Sequence, residues 1–336
     1  MEPSDKVSAL TGQLRQVLLS FGSDFSLASL AVAFAVAVGF LAFRHWRRRG
    51  RCRPRALMRA VFKKKIVFNR STYADMAYFY INGFAAGGLL GWGLIESGAV
   101  AKTLLAGLHG AFGTLPAVAA PDWALRAGMT LALFLAYEFG YYVDHYLKHR
   151  IPFLWELHKT HHSAQTLTPW TVWRVHPLDM MVFSNILAIT IGGTAALVVF
   201  FSGRSISAMT IDGTNVILVG FIFAYVHLQH SQFWIPFTGK LGRVLMSPAH
   251  HQMHHSVDPA HYDRNFGSCL AIWDYVFGTL AIPQEQSPRL TYGVEEAEGV
   301  DPHSVITLLI TPVQRAIAAL LPKRAAGAAA PETAAS

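Results

Sequence analysis

The chain has 336 residues, 52% of them hydrophobic and only 14% charged. Soluble domains carry about 25% charged residues, so the deficit points to lipid and away from an ordinary soluble protein. The net charge of +8 is uneven: eleven Arg or Lys and no acid lie between Arg44 and Lys65, and beside an apolar span such a run marks a cytoplasmic flank touching anionic headgroups rather than a nucleic-acid site.

Residues 1–24 are mildly amphipathic. Residues 25–43, FSLASLAVAFAVAVGFLAF, are long enough to cross a hydrocarbon core of about 30 Å as a helix. They do not read as a signal peptide, since neither a basic leader nor a small-residue cleavage site flanks them. The basic run 44–65 follows directly, which predicts the N-terminus outside and the run in the cytoplasm. A second span is expected at 76–100, rich in Gly and aromatics. Residues 101–121 read as a re-entrant or interfacial piece, and further spans are expected at 123–143, 180–201 and 215–234. Five crossings put both histidine-rich stretches, 144–179 and 236–285, on the cytoplasmic side. Residues 305–321 form a last apolar helix, and the Ala-rich tail 325–336 is expected to be disordered. The two cysteines, Cys52 and Cys269, form no CxxC pair. They signal neither a zinc knuckle nor a redox dithiol, and suit a reducing compartment.

Histidine is the unusual residue, with sixteen copies, thirteen of them between His145 and His261. Three clusters stand out: HYLKH with His145 and His149, HKTHH with His158, His161 and His162, and HQMHH with His251, His254 and His255. Residues three and four apart share a helix face, so each cluster can aim two or three imidazoles at one point. Neutral imidazole is a good ligand for iron, zinc or copper. Eight such ligands exceed what one metal takes, and two metals are the economical reading. His227 and His230, three apart, would raise the set to ten, five per metal; His176 in RVHP is a further candidate. A single HxxxH arises by chance on any helix, whereas two HxxHH clusters and an HxxxH on one membrane face do not read as solvated surface. The isolated His45, His109 and His303 are read as structural or exposed. A zinc hydrolase needs about three ligands and a general base, as in HExxH; no HExxH occurs.

At these residues the sequence resembles the fatty acid hydroxylase/sterol desaturase superfamily. The likeness runs from Glu138 to Leu280. EFGYYVDHYLKHRIPFLWELHKTHHSA at 138–164 is similar to the family's first block, WRVHPLD at 173–179 to its Arg-x-His-Pro element, and HSQ at 230–232 to its single-histidine element. SPAHHQMHHS at 247–256 and NFGSCLAIWDYVFGT at 265–279 are similar to its last block. Thr168 and Asp179 depart mildly from the pattern.

The resemblance implies a non-haem diiron site, dioxygen as co-substrate and a lipid substrate. It carries over His145, His149, His158, His161, His162, His251, His254 and His255 as ligands, with His230, His227 and His176 as further ones. Glu138, two helical turns before His145, is expected to orient a ligand histidine. Asp274 either does the same or caps the turn near Gly278. No haem motif is present, so electrons are expected from a separate electron-transfer protein.

The reading is therefore an all-α integral membrane protein of about five transmembrane helices with a cytoplasmic histidine-rich cap. Its parts are an N-terminal segment 1–24, a transmembrane region 25–135, a diiron domain 136–282 and a C-terminal helix and tail 283–336. The expected activity is oxygen-dependent hydroxylation of a membrane lipid, with desaturation at the same site as the alternative and a non-catalytic scaffold or metal sensor as the reading from another class. The Ala- and Gly-rich composition suggests a bacterial inner membrane.

Overall fold

The computed structural model describes residues 3–23, 25–50, 54–86, 90–295 and 300–321; the tail 325–336, expected to be disordered, and Cys52 lie outside them. Among the described residues the architecture is helical. The only sheet among the described residues is a hairpin that pairs Thr210–Ile211 with Thr214–Asn215. The helices longer than one turn are α1 (Pro3–Leu19), α2 (Leu27–Arg49), α3 (Pro54–Val61), α4 (Arg70–Tyr80), α5 (Ser97–Phe112), α6 (Asp122–Arg150) and α7 (Pro152–His162). They continue with α8 (Pro177–Ser202), α9 (Val216–Gln229), α10 (Gly239–Val244), α11 (Pro248–His254), α12 (Ile272–Phe277) and α13 (Val305–Leu320).

Two helices, Leu27–Arg48 and Pro177–Ser202, are long and apolar enough to cross a membrane. The region 76–100, expected to be one span, is not one helix. After α4 the backbone passes into a π-helical stretch at Ile81–Ala86, a 3-10 turn follows at Gly91–Gly93, and α5 starts afresh at Ser97. Six glycines between 83 and 98 are the physical reason, since each weakens a helix by about 1 kcal/mol relative to Ala. The piece expected to be interfacial begins as α5, which packs closely along α8. A Cβ at Gly192 would lie 2.4 Å from Ser97 O and 2.8 Å from Val100 Cβ, so the two helices meet where no side chain fits.

α6 is 29 residues long, about 43 Å at 1.5 Å per residue. It runs unbroken through 123–143 into HYLKH, so the first histidine pair rides on the end of an apolar helix. α9 is shorter than the expected 215–234: it turns π-helical at Ile222–Val226 and stops at Gln229. α2 begins level with the histidines. Ser26 caps its first turn, and Ser29 Oγ lies 2.9 Å from His227 Nε2. The basic segment packs on the same side, where Gln232 Nε2 donates to Ala60 O at 2.8 Å and Val61 O at 2.7 Å.

One buried arginine ties this layer together. Arg174 is 0% exposed. It pairs with Asp75 on α4 at 3.0 Å and donates to Thr160 O on α7, Ser163 Oγ and Pro302 O ahead of α13. Three separate chain segments thereby converge on a single guanidinium, whose planar fork of donors suits that task.

Candidate metal centre

The histidines come together because three helix ends and one loop meet. α6 brings His145 and His149 on successive turns of its last stretch. Ile151 breaks the helix, with Pro152 at N1 of α7, and the chain turns so that His158, His161 and His162 face back. α11 opens with a capping box at Ser247, where Ser247 Oγ and His250 Nδ1 are 2.7 Å apart. His250 is thus used structurally, and His251, His254 and His255 point inward from the same short helix and its cap.

Two groups result. His145, His149, His158, His162 and His254 form one, and His161, His230, His251 and His255 the other; within each group one ring nitrogen per residue lies within 4.8 Å of all the rest. The groups are neighbours, with the His162 and His255 rings stacked at 4.6 Å. The nitrogens crowd. His149 Nε2 is 3.2 Å and His254 Nε2 3.1 Å from His162 Nε2. In the other group His230 Nε2 is 2.9 Å from His251 Nε2 and 3.2 Å from both His161 Nε2 and His255 Nε2.

The protonation pattern decides what this crowding means. His145 Nδ1 donates to Phe266 O at 2.8 Å, His254 Nδ1 to Arg264 O at 2.8 Å and His158 Nδ1 to Asp179 Oδ2 at 3.0 Å. A neutral ring has one N–H, so these bonds leave lone pairs on the three Nε2 atoms. His145 Nε2 and His158 Nε2 are buried without a hydrogen-bond partner. Burial, followed by the neighbouring imidazoles, holds the pKa of His149, His161, His162, His251 and His255 well below the ordinary value. Burial also lowers that of His158, though Asp179 opposes it. Neutral rings with converging lone pairs repel one another unless a cation sits between them. Separations of 2.9–3.2 Å suit neighbouring nitrogens on one ion with bonds of about 2.1 Å. The donor set therefore fits two metal ions, one per group.

His176 and His227, both read from the sequence as ligands, join neither group. His176 Nδ1 accepts from Leu178 N at 3.2 Å, capping α8, and its Nε2 donates to Leu309 O at 3.0 Å; both nitrogens are occupied. His227 Nε2 bonds with Ser29 Oγ instead. His230, at φ −95° and ψ 71°, has left the helix, so the two do not share a helical face.

The acids also differ from expectation. Glu138 touches no histidine: its Oε2 accepts from Cys269 N at 3.0 Å and Leu270 N at 2.7 Å. Seven residues along a helix are about 10.5 Å, too far for its carboxylate to reach His145. Asp274 accepts from Phe266 N at 2.8 Å, Gly267 N at 2.7 Å and Thr279 Oγ1 at 2.6 Å. Both acids thus fix the strip 266–270, whose Phe266 carbonyl orients His145. The acid that holds a histidine directly is Asp179, which the sequence reading noted only as a departure from a pattern. Its signal was an ionisable residue at the start of an apolar helix.

A cavity of about 420 Å³ reaches both groups, touching His145, His158, His161 and His230. It runs down between α6, α8 and α9 past Tyr141, Phe183 and Ile222 to Gly22 and Thr214.

Comparison with known proteins agrees with this site. Residues 130–279 match the fatty acid hydroxylase family. Alkylglycerol monooxygenase from Homo sapiens is 29% identical over 172 residues, 48% of this chain and 32% of its own length. Ornithine lipid hydroxylase from Rhizobium tropici is 29% identical over 168 residues, 50% of this chain and 46% of its own. Cholesterol 25-hydroxylase from Homo sapiens is 26% identical over 172 residues, 48% and 54% of the two chains. This chain spans about a third of the alkylglycerol monooxygenases it matches. No solved structure matches it. The segment matched by the family model, residues 130–279, contains every residue of both histidine groups.

Proposed function

We propose that this protein is a membrane lipid hydroxylase whose two histidine groups hold a pair of iron ions. The observation that carries the reading is a set of nine histidines, eight buried and His149 partly so, neutral and with lone pairs converging, at the end of a cavity walled mainly by apolar and aromatic side chains. Imidazole suits iron and resists the oxidant better than thiolate would, and the lone described cysteine, Cys269, is in neither group. Bound iron would supply the activation of dioxygen that attack on an alkyl C–H bond requires. The chain's own residues bind the lipid, keep water out and hold the rings of His145, His254 and His158 in one tautomer through Phe266, Arg264 and Asp179. The electrons come from a separate transfer protein.

The matched relatives are named for lipid oxidation on three substrates, an alkylglycerol, an ornithine lipid and cholesterol, which supports the class. We place the protein in a membrane, the bacterial inner membrane, with the histidines facing the cytoplasm. The packing of the basic run 44–65 against the histidine layer supports that orientation. The diiron domain is taken as 136–282.

The test is a lipid comparison by mass spectrometry in cells carrying wild type or His254→Ala, grown under heavy dioxygen. One lipid class should gain labelled oxygen with wild type only. Loss of two hydrogens without label would make the protein a desaturase. An unchanged lipidome with iron bound would point to a scaffold or sensor.

A further inference from the structure

The cavity has a polar pole beside the metal groups, only part of which is taken up in holding a histidine. Asp144, Lys148 and Asp179 line it beside His145 and His158, and they are 3%, 3% and 1% exposed. Lys148 Nζ is ion-paired with Asp144 Oδ2 at 2.6 Å and with Asp179 Oδ1, and it donates to Asp179 O at 3.3 Å. Asp179 Oδ2 is taken by His158. Of the four carboxylate oxygens, Asp144 Oδ1 and Asp179 Oδ1 are buried without a hydrogen-bond partner; Asp179 Oδ1 is ion-paired with Lys148, which leaves Asp144 Oδ1. A buried acceptor left unpaired costs about 1–3 kcal/mol, more if charged, so the site asks for a donor. Two carboxylates against one ammonium also favour a neutral or cationic donor over an anion.

We propose that Asp144 Oδ1 receives a hydrogen-bond-donating head group, hydroxyl or ammonium, of a lipid whose alkyl chain fills the rest of the cavity. Below the acids the walls turn aromatic and aliphatic. From Lys148 to Tyr137, α6 lines the cavity over about 16 Å. Spread along that length, 420 Å³ accommodates one extended chain. With its head at Asp144, next in sequence to the ligand His145, such a lipid presents a carbon close to its head to the histidine groups, and the chain end lies farthest from them. This rests on the lipid-oxidation reading but makes a separate claim about recognition, and it assigns Asp144 as a specificity-determining residue.

The test is binding, which needs no turnover. Metal-loaded protein in lipid nanodiscs is titrated with hexadecylglycerol, its dimethyl ether and hexadecylamine, and the rise in melting temperature gives each affinity. The three probes share one hexadecyl chain; the glycerol ether and its dimethyl ether differ in two hydroxyl donors, and the amine offers an ammonium head instead. At least one donor-bearing probe should bind about ten- to a hundred-fold tighter than the ether, and the better of the two says whether the head is hydroxyl or ammonium. Asp144→Leu should erase that preference; Lys148 keeps Asp179 as partner, so no buried cation is stranded. Asp144→Asn, which keeps an acceptor oxygen, should retain part of it. Metal content, measured alongside, shows whether the centre survives each change. Equal affinities in wild type, no binding by any probe, or a preference intact in Asp144→Leu overturns the proposal. Failure of the oxygenase reading would show instead as absent label in the heavy-dioxygen experiment, whatever the binding result.

Discussion

At the scale of single residues the centre depends on which nitrogen of each ring carries its proton. Asp179 is decisive for His158, because its Oδ2 holds the Nδ1 proton and so frees Nε2. Asp179→Ala should lower iron affinity about 10- to 100-fold, read by competition with a chelator, while Lys148 stays paired with Asp144. A chelator curve identical to wild type would remove Asp179 from the metal site. The two histidines outside the groups give the opposite expectation. His227→Ala should leave iron content unchanged, whereas His254→Ala should sharply reduce it; metal analysis of the two purified variants decides. His176→Ala should keep the iron as well, but it loses the cap of α8 and about 1 kcal/mol of stability.

Elements explain how much of this could be read in advance. The three clusters were legible because HxxxH and HxxHH are helix spacings, and α6, α7 and α11 are helices. His227 and His230 have the same spacing and misled, since the helix ends between them. Nothing in the sequence announces the π-helical stretch within α9 or its stop at Gln229. The partners that set the tautomers of His145 and His254 are backbone carbonyls of Phe266 and Arg264; every residue has such a carbonyl, so no residue type could mark them. Glu138 and Asp274 were legible as acids in an apolar setting, but their targets were backbone N–H groups of one strip. Glu138→Ala should therefore act through that strip, exposing two buried N–H donors at about 1–3 kcal/mol each. Thermal melting should fall markedly, and iron affinity should fall less than in Asp179→Ala. A larger loss of iron than in Asp179→Ala would return Glu138 to the histidines.

The whole molecule assembles its centre from segments far apart in sequence, since His145 and His255 are separated by 110 positions. No metal group exists until α6, α7, the end of α9 and α11 have packed, so folding and metal capture are linked. Folding without metal buries neutral imidazoles whose pKa values lie below the unfolded value of about 6.5. Above about pH 6.5 both states are neutral there and the apoprotein keeps its full stability. As pH falls below about 6.5 the unfolded chain binds protons that the folded chain refuses, and stability declines towards the lowered folded values. Metal competes for the same lone pairs, so acid also favours its release. The melting temperature of the apoprotein should be flat at neutral pH and drop steadily under mild acid, with the iron-loaded form higher at pH 7 and converging on it as acid releases the metal. An apoprotein melting curve that does not change from pH 7 to pH 5 would mean that these rings are charged or solvated in the folded state, and the centre could not then be a set of neutral ligands.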